Sequence, residues 1–283
     1  LGPIHPNGLT GPEGYLRTGF LGNVGDSARM EIFFPKKSNG QAVIVCPGGG
    51  YTALNALVTG LAAGNWLSSQ GFTAVILKYR MPNGDIALPM RDVTNAILYS
   101  RKMADKWKIS QVGIIGGSAG GHLAAYAAAH PESEASRPDF AVLLYPLTSI
   151  MDPSCFGYTS ILAATTPAEQ ALHDLSLELN VGENLPPVMI AANKKDPIIP
   201  LHQFPDYYNA LSAKGFDVEL HMYETGSHGW GFMTKEYAEA LCRDNSNVWG
   251  LKDPPGTPYG DDMGKSREIF NNDFLSFTNM VKK

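Results

Sequence analysis

Short runs rich in β-branched and aromatic residues alternate, almost end to end, with longer stretches of helical periodicity, and this alternation restricts the chain to few folds. Repeated strand–helix–strand units build a mostly parallel sheet with helices on both faces. The strands are expected at 28–35 (ARMEIFFP), in the apolar part of 41–51 (QAVIVCPGGGY), and at 72–80, 111–117 and 140–146, then in 187–200 and in 216–231, the last two running on into loops. Runs such as AVIVC and FAVLLY are apolar without alternation, as strands covered on both faces must be. Helices are expected at 58–70, at 89–107 with Pro89 at its start, from Ala119 to His130, around 168–180, at 202–214 and near 265–281.

No linker interrupts the pattern, so residues 1–283 are expected to form a single domain, with a loop insertion at about 232–264. A net charge of −5 and the absence of any Lys/Arg run argue against nucleic acid as a partner. No apolar stretch reaches the length that spans a bilayer. Cys46, Cys155 and Cys242 form no C-x-x-C pair, which disfavours a zinc site or a disulfide framework and leaves room for one bridge. The chain opens on Leu1 without Met; a removed signal peptide would place it outside the cytoplasm, and the compartment stays open.

Four of the expected strand ends carry unusual residues, and in open α/β sheets sites form where such ends converge. The strand at 111–117 runs into Gly116-Gly117-Ser118-Ala119-Gly120, a G-x-S-x-G pattern with a helix directly after it. Small neighbours tolerate the sharp turn and expose the hydroxyl, while the Ala119 N–H and the helix amino end face it. CPGGGY at 46–51 offers bare backbone N–H groups for an oxyanion. A phosphate loop would need a Lys that is absent, and a dinucleotide fingerprint is not matched. Asp196 leaves the strand end in NKKDPIIP, and His228 sits among small residues in GSHGWG. His122, one turn into the serine helix, is expected to pack beside the elbow. The chain order Ser118, Asp196, His228 is the order of a hydrolase triad on such a sheet.

Together, CPGGGY, GGSAGGH, KKDPIIP and SHGWG resemble the α/β-hydrolase superfamily. More narrowly the chain is similar to bacterial acetyl xylan esterases and xylanase-associated carbohydrate esterases, over about residues 28–281. The resemblance implies Ser118 as nucleophile, Asp196 as acid and His228 as base, with Gly49, Gly50 and Ala119 as oxyanion donors. Tyr51 and Trp230 are the expected substrate contacts, and the aromatic residues around the insertion (Trp230, Phe232, Trp249, Tyr259) either offer surface for a sugar or pack into the core. No metal or cofactor is implied. The implied substrate is a short acyl ester of a carbohydrate, acetyl on xylan fragments first. Feruloyl or general short-chain carboxylesterase activity is the alternative; a peptidase or amidase, or a non-catalytic binding protein on the same scaffold, ranks lower. The sequence departs from lipase-like relatives at Pro47, where many carry His before the glycines.

Overall fold

The computed structural model describes residues 12–15, 19–155, 157–232 and 265–282. Its centre is a seven-stranded sheet of β3 (Arg29–Phe33), β4 (Gln41–Cys46), β6 (Thr73–Lys78), β7 (Gln111–Gly117), β8 (Ala141–Leu144), β9 (Val188–Asn193) and β10 (Val218–Tyr223), in the spatial order β10-β9-β8-β7-β4-β6-β3. Every neighbouring pair is parallel except β3 with β6. All residues of β4, β6, β7, β8 and β9 are buried, which accounts for the apolar runs at their centres, with polar residues confined to their ends.

Helices α1 (Ala63–Ser69), α2 (Ala87–Lys102), α3 (Ala104–Trp107), α4 (Ala119–Ala129), α5 (Gly157–Leu162), α6 (Ala168–Asp174), α7 (Gln203–Ala213) and α8 (Lys265–Met280) accompany the sheet, with short 3-10 turns at Glu134–Ser136 and Pro153–Cys155. A π turn, Leu57–Ala62, leads into α1. Phe270, Phe274 and Phe277 of α8 are buried, and Trp66 stacks on Phe232 at 4.6 Å between ring centres. At the amino ends of β4 and β7 the Gln41 and Gln111 amides donate to the Thr278 and Val281 carbonyls, at 2.9 and 2.8 Å. Two buried polar side chains thereby satisfy carbonyls at the end of α8 that have no partner within the helix.

The register brings the loops together. Cys46 pairs with Gly116, Gly117 with Leu144, Leu144 with Ala191, and Tyr223 with Asn193. The carboxyl ends of β4, β7, β8, β9 and β10 therefore lie side by side, and the segments holding the glycine run, Ser118, Asp196 and His228 leave from one edge.

Several elements differ from the sequence expectation. A three-stranded sheet of β1 (Gly14–Tyr15), β2 (Phe20–Gly22) and β5 (Leu54–Asn55) was not anticipated, because strands of two or three residues carry no readable period. The helix expected around 168–180 ends at Asp174, and that at 89–107 divides at Met103 into α2 and α3. The expected insertion at 232–264, with Trp249 and Tyr259, lies outside the described residues except for Phe232. That ring is buried against Trp66, Phe270 and Phe274, so it offers no surface to a sugar.

Candidate active site

The elbow at Ser118 follows from small residues on every side. Ser118 has φ +56° and ψ −123°, a conformation rarely adopted by a residue with a side chain, and α4 begins at the next residue. A Cβ at Gly116 would lie 2.0 Å from the Gly120 carbonyl oxygen, and one at Gly120 would lie 2.1 Å from the Cys46 carbonyl oxygen. Only glycine at both positions lets β7, the turn and α4 approach this closely. The Ser118 N–H donates to the Leu144 carbonyl at 3.0 Å, pinning the elbow to β8.

His228 Nε2 lies 2.9 Å from Ser118 Oγ, and its Nδ1 lies 2.9 Å from Asp196 Oδ2. The carboxylate only accepts, so Nδ1–H donates to it and the Nε2 lone pair faces the serine hydroxyl. Asp196 has a fully buried side chain whose other oxygen accepts the N–H groups of Ile198 and Ile199, at 2.8 and 3.0 Å. Those two bonds follow from the turn set by Pro197 and leave the carboxylate one orientation toward the ring. The structure thus brings together the three side chains that chain order singled out.

Two further residues hold the histidine loop. The edge of the Tyr145 ring meets the His228 ring, with centres 4.7 Å apart, and the Tyr145 hydroxyl donates to the Trp230 carbonyl. Tyr145 itself has φ +36°. Asn193, buried at the end of β9, donates from Nδ2 to the Ser227 carbonyl at 2.9 Å. Sequence reading missed both, since a Tyr and an Asn at strand ends resemble ordinary core and turn residues.

Ser118 and His228 open onto a cavity of about 400 Å³, lined also by Gly48, Gly49 and Gly50, by Phe20, Asn55, Thr59 and Tyr158, and by Pro197 and Ile198. Gly49 has φ +137°, and a Cβ there would lie 2.0 Å from the Ala53 carbonyl oxygen, so the run turns tightly beside the serine. The N–H groups of Gly49 and Gly50 have no acceptor among the described residues. Ala119 opens α4, so its N–H has no carbonyl behind it within the helix. Phe20 reaches the cavity from β2, through its pairing with Asn55.

Tyr51 and Trp230 are not where the sequence placed them. Both are buried and neither lines the cavity. The Tyr51 hydroxyl lies 2.7 Å from His122 Nδ1, whose Nε2 faces the Leu175 carbonyl at 2.9 Å. The Trp230 ring packs on Tyr145, Tyr223 and Phe270. Core packing therefore uses the two rings expected to meet a substrate. His122 does pack below the elbow, and burial pushes its pKa down to about 4. Cys46 and Cys155 are buried free thiols, and Cys242 lies outside the described residues. No described helix is long and apolar enough to cross a membrane.

A parallel sheet with one antiparallel edge strand, a strained serine between strand and helix, and an acid and a histidine on later loops define the chain as an α/β-hydrolase fold. Residues 30–159 match the BD-FAE family, a span that includes the glycine run and Ser118 and stops before Asp196 and His228. The acetylxylan esterase of Xylanibacter ruminicola is 33% identical over 230 residues, 78% of this chain and 47% of that protein. The chain spans about half the length of that curated relative. Among solved structures, the acetyl ester-xyloside bifunctional hydrolase of Caldicellulosiruptor lactoaceticus is 27% identical with a TM-score of 0.63, covering 71% of this chain and 79% of that one. MGS-M1, an α/β hydrolase from a Medee basin deep-sea metagenome, shares the fold at a TM-score of 0.63 and 20% identity, covering 92% of this chain and 95% of its own. The resemblance to acetyl xylan esterases drawn from the motifs therefore extends over most of the sequence.

Proposed function

We propose that the chain is a single-unit serine esterase that removes short acyl groups, acetyl first, from carbohydrates such as xylan fragments. The observation that carries this reading is the hydrogen-bonded series Ser118–His228–Asp196 at a cavity flanked by unpaired backbone N–H groups. The similarity to an acetylxylan esterase and an acetyl ester-xyloside hydrolase supports the substrate class.

In the mechanism, the Ser118 oxygen attacks the ester carbonyl while its proton passes to His228 Nε2. Asp196 holds the ring in the tautomer that accepts this proton and stabilises the imidazolium that results. The N–H groups of Gly49, Gly50 and Ala119 receive the oxyanion; one such donor is worth roughly 3 kcal/mol in the transition state. His228 returns the proton to the departing alcohol oxygen, leaving an acyl-serine. Water then attacks with His228 again as base, and the carboxylic acid is released.

The test is acetate release from acetylated xylo-oligosaccharides, beside p-nitrophenyl acetate and methyl ferulate. Ser118→Ala and His228→Ala are expected to lose at least ~10³-fold in kcat, and a fluorophosphonate probe should label wild type at Ser118 only. Cleavage of methyl ferulate in preference to acetate esters would move the substrate to the feruloyl class. Wild-type rates equal to those of Ser118→Ala on all three esters would remove the esterase reading.

A further inference from the structure

Asn55 stands at the end of β5 with only 4% of its surface exposed, yet it lines the same cavity as Ser118 and His228. Three of its four hydrogen-bonding groups are committed. The backbone N–H donates to the Gly48 carbonyl at 2.8 Å, and the backbone carbonyl accepts the Thr59 hydroxyl at 3.0 Å. The side-chain oxygen accepts the Val58 N–H at 3.0 Å. Because a backbone N–H can only donate, that bond fixes which end of the amide is oxygen and turns the NH2 group away from the π turn. Among the described residues, no acceptor meets this NH2 group.

Gly48 touches both sides: its carbonyl accepts the Asn55 N–H, and a Cβ there would lie 3.2 Å from the Ser118 Cβ. The Asn55 neighbours Phe20 and Thr59 add no donor of their own. Phe20, paired with Asn55 across β2 and β5, is apolar, and the Thr59 proton is spent on the Asn55 carbonyl. An amide donor that a bound ester closes off from water disfavours an all-carbon group against it, whereas a ligand oxygen there completes its bonding.

We propose that Asn55 is a specificity-determining residue, its amide NH2 donating to an acceptor oxygen of the ester near the scissile carbonyl. The proposal rests on the esterase reading and deepens it: the enzyme selects esters bearing an ether, hydroxyl or ring oxygen close to the reacting carbonyl over isosteric esters with methylene there. That oxygen can belong to the acyl chain or to the sugar next to the ester, and the same chemistry recognises either.

The experiment compares kcat/KM within two matched pairs. The acyl pair is p-nitrophenyl methoxyacetate against p-nitrophenyl butanoate, corrected for the uncatalysed reactivity of each ester. The alcohol pair is the monoacetate of trans-1,2-cyclohexanediol against cyclohexyl acetate. Wild type is expected to favour the oxygen-bearing member of one pair by about tenfold or more, and that pair identifies which side of the ester the amide reads. Asn55→Ser keeps an oxygen for the Val58 N–H and withdraws the NH2 group, so it should bring that ratio close to one. Asn55→Asp, which is nearly isosteric and also keeps the oxygen, should do the same and covers the case in which the serine variant does not fold. Wild-type ratios near one in both pairs, or a wild-type preference retained in a folded variant, would overturn the proposal. Loss of the esterase reading itself has a different signature: no turnover of any of the four esters above the Ser118→Ala level.

Discussion

His122 shows how an ionisable side chain serves packing alone. It is fully buried beneath the elbow, and its two ring nitrogens are satisfied by the Tyr51 hydroxyl and the Leu175 carbonyl. A carbonyl only accepts, so Nε2–H donates to Leu175 and neutral Nδ1 accepts the tyrosine proton; a protonated ring would lose the second bond. In the unfolded chain this histidine takes up its proton near pH 6.5, in the folded protein only near 4. Between those values protonation favours the unfolded state, so stability falls as pH drops from about 6.5 to about 4 and is unaffected by this group above that window. The gap corresponds to ~3 kcal/mol. Urea melts of wild type and His122→Gln at pH 7.5, 5.5 and 4.5 test this. The variant should start less stable and lose less on acidification, whereas parallel losses would assign the acid sensitivity to other groups.

At the level of elements, close approach rather than burial decides which glycines matter. Gly116→Ala would drive a Cβ into the backbone of α4, where no side chain can move aside, and is expected to cost more than ~4 kcal/mol or to prevent folding. Gly157→Ala, at the start of α5 with nothing within 4 Å of its Cβ, should be neutral or gain up to ~1 kcal/mol. Thermal melts of the two variants make the comparison, and a folded Gly116→Ala protein with wild-type Tm would refute the steric account. The same distinction explains what the sequence disclosed. The parallel strands and their helices were legible because five fully buried strands carry apolar runs, with polar residues only at their ends, and must return through crossovers. Ser118, Asp196 and His228 were legible because each follows a strand end in hydrolase order. The pairing of β2 with β5 and the roles of Asn55, Tyr145 and Asn193 depend on contacts across 30 or more residues, to which local pattern is blind, and strands of two or three residues carry no period of their own. Tyr51 and Trp230 misled because an aromatic ring beside a motif looks the same whether it faces a cavity or the core.

For the whole molecule, the small sheet matters because it supplies the Phe20 wall of the cavity, and one ion pair fastens it. Lys78 is the last residue of β6, with 1% of its side chain exposed. It meets Glu13 Oε2 at 2.5 Å, and the same oxygen accepts the Gly25 N–H at 2.7 Å. Glu13→Ala would strand a buried ammonium and is expected to cost ~3–5 kcal/mol, whereas replacing both partners, Glu13→Leu with Lys78→Met, should recover most of that loss. Denaturant melts of the single and double variants measure it; equal losses in both would mean that the pair contributes through shape and not through charge. The strand order has a consequence in time. Beyond β7 the sheet is extended outward in chain order, β8, then β9, then β10, so Ser118 follows a strand near the middle while Asp196 and His228 arrive with the outermost additions. A nascent or half-refolded chain can thus hold a formed elbow with no proton acceptor beside it. Under the proposed mechanism, esterase activity would report completion of the sheet's far edge rather than formation of its core.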